Sequence, residues 1–66
     1  MQDFVKRLII ERDELLAKWE KLRDFISSDK FETLDDENKS LLAAQLNIMG
    51  AYLCILERRI AINNKE

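Results

Sequence analysis

Three residues in the second half of the chain carry side chains suited to ligand recognition. Gln45, Tyr52 and Arg59 follow one another at seven-residue intervals, so on a helix they project from one side. A phenol can stack on a nucleobase, an amide can read a base edge, and a guanidinium can pair with a phosphate. The line suits a nucleotide site, and it suits equally the flank of a helical bundle whose polar tips reach solvent.

A basic group lies in the first half of the chain. Lys18, Lys21 and Lys30 stand near Trp19, so cations for phosphate groups adjoin a second stacking surface. Glu14 lies four residues before Lys18, and such pairs also stabilise ordinary exposed helices. We expect Lys18, Lys21 and Trp19 to contribute to a ligand site.

Catalytic machinery is sparse in this sequence. The chain has no histidine and one cysteine, Cys54, so the usual activated nucleophiles and metal-ligand sets are missing. Cys54 is predicted to be a small buried apolar residue. We therefore expect a protein that is not an enzyme and that uses neither a metal nor another cofactor.

Length and composition limit the protein class. The 66 residues include no proline and one glycine, 47% are hydrophobic, and the net charge is -2. A core this small stabilises a fold only weakly, so self-association is the expected additional support. The slight negative charge argues against binding long nucleic acids. The longest apolar runs, such as Ala51 to Leu56, are short for a membrane span, so we expect a soluble intracellular protein without a membrane partner.

The spacing of apolar residues predicts the fold. Two amphipathic helices are predicted over about 2–28 and 35–62, joined by a turn at about 29–34. The whole chain, 1–66, is then a single all-α domain, an antiparallel two-helix hairpin. One register pairs both apolar seams along their length, from Ile26 opposite Leu42 to Leu8 opposite Ile60. The predicted seam contains Val5, Leu8, Leu15, Trp19, Leu22 and Ile26 on helix one and Leu42, Leu46, Met49, Leu53, Leu56 and Ile60 on helix two.

Arg12 occupies a position in this seam where an apolar residue would be expected. In the predicted register it lies about one turn from Glu57. The arginine is therefore either an internal ion pair or an anion-binding group in a pocket between protomers.

The hairpin leaves apolar surface uncovered. Helix two has a second stripe, and Gly50 interrupts its interior, which suggests close helix approach there. We therefore predict a homo-oligomeric helical bundle with helix two inside, of which a dimeric four-helix bundle is the smallest form. The second stripe contains Leu41, Ile48, Tyr52, Ile55 and Ile62, and a third line of small residues contains Ala43, Gly50, Cys54 and Ala61.

A pattern of mainly apolar residues with three distinctive polar ones covers residues 21–60. It comprises Lys21, Leu22, Phe25, Ile26, Phe31, Leu34, Leu41, Leu42, Gln45, Met49, Tyr52, Leu56, Arg59 and Ile60. This pattern resembles a family of very small helical phage proteins first recognised in crAss-like phages. The resemblance implies a phage protein acting in the host cytoplasm.

In architecture, the predicted chain is also similar to the anti-CBASS sponges of phages. Those oligomeric helical hairpins hold cyclic oligonucleotides between protomers and silence an alarm signal without destroying it. The similarity implies an immune-evasion sponge for a small anionic nucleotide, but it does not assign binding residues. The chemistry and spacing of the side chains give the candidate ligand-binding residues, which are Arg12, Lys18, Trp19, Lys21, Gln45, Tyr52 and Arg59. The alternative is an oligomeric protein-interaction module that inhibits or scaffolds a host or phage protein.

Overall fold

The computed structural model describes residues 3–64, and this part of the chain is helical without strands. Three helices follow in order: α1 (Asp3–Ile26), α2 (Asp29–Glu32) and α3 (Asp36–Asn63). The all-α prediction is confirmed. The prediction of a plain turn at 29–34 is wrong, because α2 forms a single helical turn inside it.

The helix ends follow from local hydrogen bonding. Residues 27–28 fall outside α1, since the hydroxyls of Ser27 and Ser28 donate to carbonyls of the last turn and compete with further helix. Asp35 caps α3, because its carboxylate accepts the backbone N–H of Asn38 at 2.9 Å. α3 lies within one residue of its predicted bounds. Position 2, the predicted start of helix one, lies outside the described residues.

α1 and α3 form a hairpin that is a narrow rod, with extents of 49 × 14 × 13 Å. Arg12 Nη1 lies 3.9 Å from Glu57 Oε1. A Cβ atom built on Gly50 would lie 3.3 Å from Trp19 Nε1. Both contacts agree with the predicted register to within one residue. The second shows that the indole of Trp19 packs against Gly50.

The core lies along the predicted seam and is tightest near the open end of the hairpin. Val5, Leu8, Leu53 and Leu56 are buried. The remaining seam residues are half-buried, because a pair of helices can cover only one side of each. These half-buried residues are Arg12, Leu15, Trp19, Leu22 and Ile26 on α1 and Leu42, Leu46, Met49 and Ile60 on α3.

A second row of large side chains on α3 remains exposed, and we call it the outer stripe. Its members are 40–69% exposed. The hairpin therefore leaves uncovered the surface on which the predicted homo-oligomer depends. The outer stripe consists of Leu41, Ile48, Tyr52, Ile55 and Ile62.

Cys54 bears on one prediction about burial. It is exposed in the chain, although its neighbour Leu53 is buried. One residue turns the helix by about 100°, which carries Cys54 past the edge of the surface that α1 covers. α1 therefore does not bury Cys54, and its predicted burial depends on the predicted oligomer.

α3 is long and apolar enough to cross a membrane by length and composition. Core helices of soluble proteins pass the same test but are mostly buried, whereas 6% of the apolar window of α3 is buried in the single chain. The length of uninterrupted apolar runs underestimates how apolar α3 is, because Gln45 and Asn47 break the runs without adding charge. Residues 40–56 carry no charged side chain. The absence of a membrane partner stays a prediction.

Candidate ligand-binding surface

The line predicted from seven-residue spacing is displayed on the surface of α3. Gln45, Tyr52 and Arg59 are all exposed. Successive members stand about 10.5 Å apart along the helix, since each residue adds about 1.5 Å. Ile48 and Ile55 of the outer stripe lie between them. The surface thus alternates polar recognition groups with aliphatic side chains.

Tyr52 is held by a residue that sequence reasoning missed. Its hydroxyl donates a hydrogen bond to Glu11 Oε2 across the hairpin. This bond, helped by partial desolvation and by the nearby negative charge, raises the pKa of Tyr52 above its ordinary value of 10.0. The bond fixes the direction of the phenol. One feature of the sequence could have pointed to Glu11. It lies seven residues before Lys18, so the two residues share a side of α1.

Lys18 brings a cation to the same side of the hairpin. It is exposed and follows Glu11 by about two helical turns towards the α1–α2 connection. Lys21 is also exposed, but its position on the helix turns it about 60° further outward. We call Lys18, Gln45, Tyr52 and Arg59 the binding face.

Arg12 lies on the opposite side of the hairpin. Its Nε is 2.7 Å from Asp13 Oδ1 and its Nη1 is 3.9 Å from Glu57 Oε1. Glu57 stands about 140° around α3 from Tyr52. The Arg12 side chain is 29% exposed and has carboxylate partners, as the ion-pair interpretation expects.

Trp19 is also turned away from the binding face. Its Nε1 is the atom closest to a Cβ built on Gly50, and Gly50 lies on roughly the opposite side of α3 from Tyr52. The Arg23 guanidinium sits 5.1 Å from the centre of the indole ring, a cation–π contact. The candidate residues therefore lie on two sides of the hairpin. Tyr52 is on the binding face, and Arg12 and Trp19 are turned away from it.

The binding face can hold an anion and a planar ring. Lys18 and Arg59 supply positive charge, Tyr52 an aromatic ring and Gln45 an amide. Glu11 places a carboxylate beside the phenol, so it disfavours a phosphate at that point. No pocket forms within residues 3–64 of a single chain.

Comparison with known proteins adds a family to this geometry. The curated proteins and the solved structures gave no match to the chain. The family model described as Sequestin matches residues 2–62, and that name suggests a sequestering function. Because the match spans nearly the whole chain, this small helical protein belongs to the Sequestin family.

Proposed function

We propose that the protein is a phage-encoded, non-enzymatic immune-evasion sponge. It sequesters a nucleotide second messenger, a cyclic oligonucleotide or a related signal, in pockets between protomers. The observation that carries this proposal is the binding face, where an exposed aromatic ring, an amide and two cations share one side of the hairpin. Membership of the Sequestin family supports sequestration.

Each residue of the binding face has a distinct role in this proposal. Arg59 and Lys18 pair with phosphates, and Lys21 adds positive charge at the edge. Tyr52 stacks on a base, and Gln45 reads a base edge. The hydrogen bond from Tyr52 to Glu11 holds the phenol in place before the ligand arrives, which lowers the entropy lost on binding.

The shape of the chain supports a location of the pockets between protomers. A rod only 14 × 13 Å across presents convex surface, whereas tight ligand sites enclose most of the ligand. A second protomer facing the binding face supplies the missing wall. Sequestration then needs affinity and abundance, with no bond made or broken.

A release experiment tests sequestration against destruction. The protein is incubated with cyclic di- and trinucleotides and cyclic ADP-ribose isomers, the unbound fraction is measured, and the protein is then heat-denatured. We expect one ligand to disappear from solution and to return chemically intact after denaturation. Return of a hydrolysed product contradicts the proposal, as does a panel that stays wholly unbound.

Two variants examine the binding face directly. Arg59→Ala removes its guanidinium, and Arg58→Ala removes an equally exposed one about 100° away around the helix. We expect ligand affinity to fall at least about tenfold for Arg59→Ala, as for loss of a charge-assisted hydrogen bond, and to be retained by Arg58→Ala. Equal losses would show that only overall charge matters.

A double variant separates ligand binding from assembly. Tyr52→Ala combined with Arg59→Ala removes both the stacking ring and the guanidinium, so we expect binding to be abolished while the oligomer persists. Size-exclusion chromatography with light scattering measures the oligomer. Loss of assembly in this variant would show that these residues are structural.

The exposed outer stripe favours a second candidate function, a protein-interaction module that inhibits or scaffolds a host or phage protein. This function requires an apolar patch of several hundred Å² to remain open after oligomerisation. Hydrogen–deuterium exchange and surface labelling of the oligomer distinguish the two functions, since a sponge covers the stripe and a docking module leaves it accessible.

A further inference from the structure

We propose that the outer stripe binds a second copy of this chain, with the two α3 helices antiparallel. The proposed function needs an assembly between protomers, and this inference rests on it only in that respect. It goes further by assigning the orientation and the register in which the two α3 helices pair. The contact itself requires no ligand.

Residue spacing on α3 supports a second helical neighbour. The outer stripe and the polar line interleave at alternating spacings of four and three residues, from Leu41 to Ile62, which is the spacing of a coiled-coil seam. The seam that packs on α1 alternates in the same way, and it lies about 110° away around the helix. A helix with two such seams has the geometry of a four-helix bundle.

The charges of α3 determine the orientation. Asp36 and Glu37 lie in its first turn, Arg58 and Arg59 lie towards its other end, and residues 40–56 carry no charge. Lys39 and Glu57 have the opposite signs, but both lie about 170° around the helix from the outer stripe. An antiparallel pair brings each acidic end within about one turn of the arginines of the second copy. A parallel pair stacks like charges at both ends, which is unfavourable.

The best antiparallel register places the two-fold axis level with Gly50. Ile48 then lies opposite Tyr52 of the second copy, and Gln45 lies opposite Ile55 of the second copy. Each polar residue thus meets an aliphatic one. Gln45 and Tyr52 lie about 60° around the helix from Ile48 and Ile55, towards α1, so their polar tips stay at the margin of the seam, where the proposed nucleotide binds. This register also covers the outer stripe on both copies.

The length and exposure of the outer stripe suit the apolar centre of a dimer interface. The outer stripe runs about 31 Å along α3, from Leu41 to Ile62. A standard interface removes about 800 Å² from each partner, roughly a sixth of the 5154 Å² that the chain exposes. Five large side chains that are 40–69% exposed provide the apolar centre of such an interface.

A second copy explains the outer stripe better than a lipid bilayer does. α1 packs along α3 and carries Glu11, Arg12 and Asp13 near its middle. Insertion of α3 would draw these charges into the hydrocarbon, at a cost of several kcal/mol. Pairing of two α3 helices leaves α1 in water on the outside.

One pair of matched variants tests the surface. Ile55 and Ile10 are 55% and 56% exposed, Ile55 in the outer stripe of α3 and Ile10 on α1. In ligand-free protein, sedimentation velocity should show a dimer for wild type and Ile10→Lys, and a dissociation constant raised at least about a hundredfold for Ile55→Lys, which buries two lysines per dimer. A monomeric wild type at about 100 μM, or equal behaviour of the two variants, overturns the proposal.

A cross-linking experiment tests the orientation without disrupting the fold. Ile48→Cys and Leu41→Cys are made separately in a Cys54→Ala background and treated with a short bis-maleimide. In the antiparallel register the two copies of position 48 lie about 6 Å apart along the axis, and those of position 41 about 27 Å apart. Only Ile48→Cys should cross-link. Cross-linking of both indicates a parallel pair and of neither a different surface, and each result overturns the proposal.

Two further outcomes separate this proposal from its alternatives. A dimer that binds no nucleotide supports the α3–α3 contact and contradicts the sponge function. A monomer that binds a nucleotide contradicts the α3–α3 contact and supports nucleotide binding. The proposal is also overturned if monomeric wild type floats with phosphatidylglycerol vesicles and Ile55→Lys does not, because the outer stripe then binds a membrane.

Discussion

Two sides of α3 have similar apolar content but different environments. Leu56, in the seam against α1, is fully buried, and the adjacent Ile55, in the outer stripe, is 55% exposed. The difference lies in α1, whose one long apolar seam covers a single side of α3; apolar residues of α1 outside that seam, such as Phe4 and Ile10, are themselves exposed. Apolar periodicity therefore identifies surfaces that need a partner, while the partner's own pattern decides which surface is covered within the chain.

The largest expected difference between these two sides is in stability. Leu56→Ala should lower the free energy of unfolding by about 2–5 kcal/mol, since it opens a cavity in the seam. Leu41→Ala, at a position 62% exposed, should cost less than about 1 kcal/mol in dilute protein. Urea unfolding followed by Trp19 fluorescence measures both. Equal losses would contradict the distinction between the seam and the outer stripe.

A smaller effect is expected where the Trp19 indole packs against Gly50. Ala51→Gly should cost about 1 kcal/mol, the difference in helix propensity. Gly50→Ala should return less than that amount, because the new Cβ lies 3.3 Å from Trp19 Nε1 and the indole must shift. Urea unfolding gives both values, and a change in Trp19 emission should accompany Gly50→Ala alone. If Gly50→Ala raised the free energy of unfolding by the full amount of about 1 kcal/mol without changing Trp19 emission, the contact between Trp19 and Gly50 would be contradicted.

The cap of α3 should give a pH-dependent difference. The hydrogen bonds from Asn38 lower the pKa of Asp35 below its ordinary value of 3.8. A lowered pKa contributes stability above the ordinary value and loses it as the pH falls through the folded-state value. Asp35→Ala should therefore lower the Tm at neutral pH, and the gap from wild type should close in acid. Asp35→Asn, which caps without titrating, should lose this pH dependence; a constant gap for Asp35→Ala would contradict the cap.

The finest effect concerns the tyrosine that bridges the two helices. Tyr52 is the only tyrosine, so ultraviolet titration reports it alone. Its midpoint should exceed 10.0, because the bond to Glu11 raises the pKa, and the stability from that bond should disappear as the pH rises through the raised value. Glu11→Ala should return the midpoint towards 10.0, whereas Glu14→Ala should not. A midpoint unchanged by Glu11→Ala would contradict the hydrogen bond between Tyr52 and Glu11.

The fold was largely predictable because periodicity and register agree. Both long helices, the seam and the exposed outer stripe follow from apolar spacing, and Gly50 marked the place where the Trp19 indole packs on α3. The single turn of α2 was missed, since Ser28 and Asp29 favour turns and helix starts alike. The exposure of Cys54 in the single chain follows from its position about 120° around α3 from the seam.

The candidate surface was predictable only in part. Spacing gave the shared side of Gln45, Tyr52 and Arg59, which lies within a single helix. Two contacts depend on how α1 and α3 are placed relative to each other. They are the hydrogen bond between Tyr52 and Glu11 and the packing of Trp19 against Gly50. Side-chain directions across an interface cannot be read from one periodicity.

Native mass spectrometry of the wild-type protein most directly tests the proposal that protomers sequester a nucleotide between them. Protein purified from cells is titrated with cyclic di- and trinucleotides and cyclic ADP-ribose isomers. The account predicts a symmetric oligomer that gains one nucleotide mass per pocket, and a Tyr52→Ala, Arg59→Ala variant that gains none. An oligomer that stays bare across the panel at ligand concentrations of about 100 μM would contradict the account and favour the protein-interaction module.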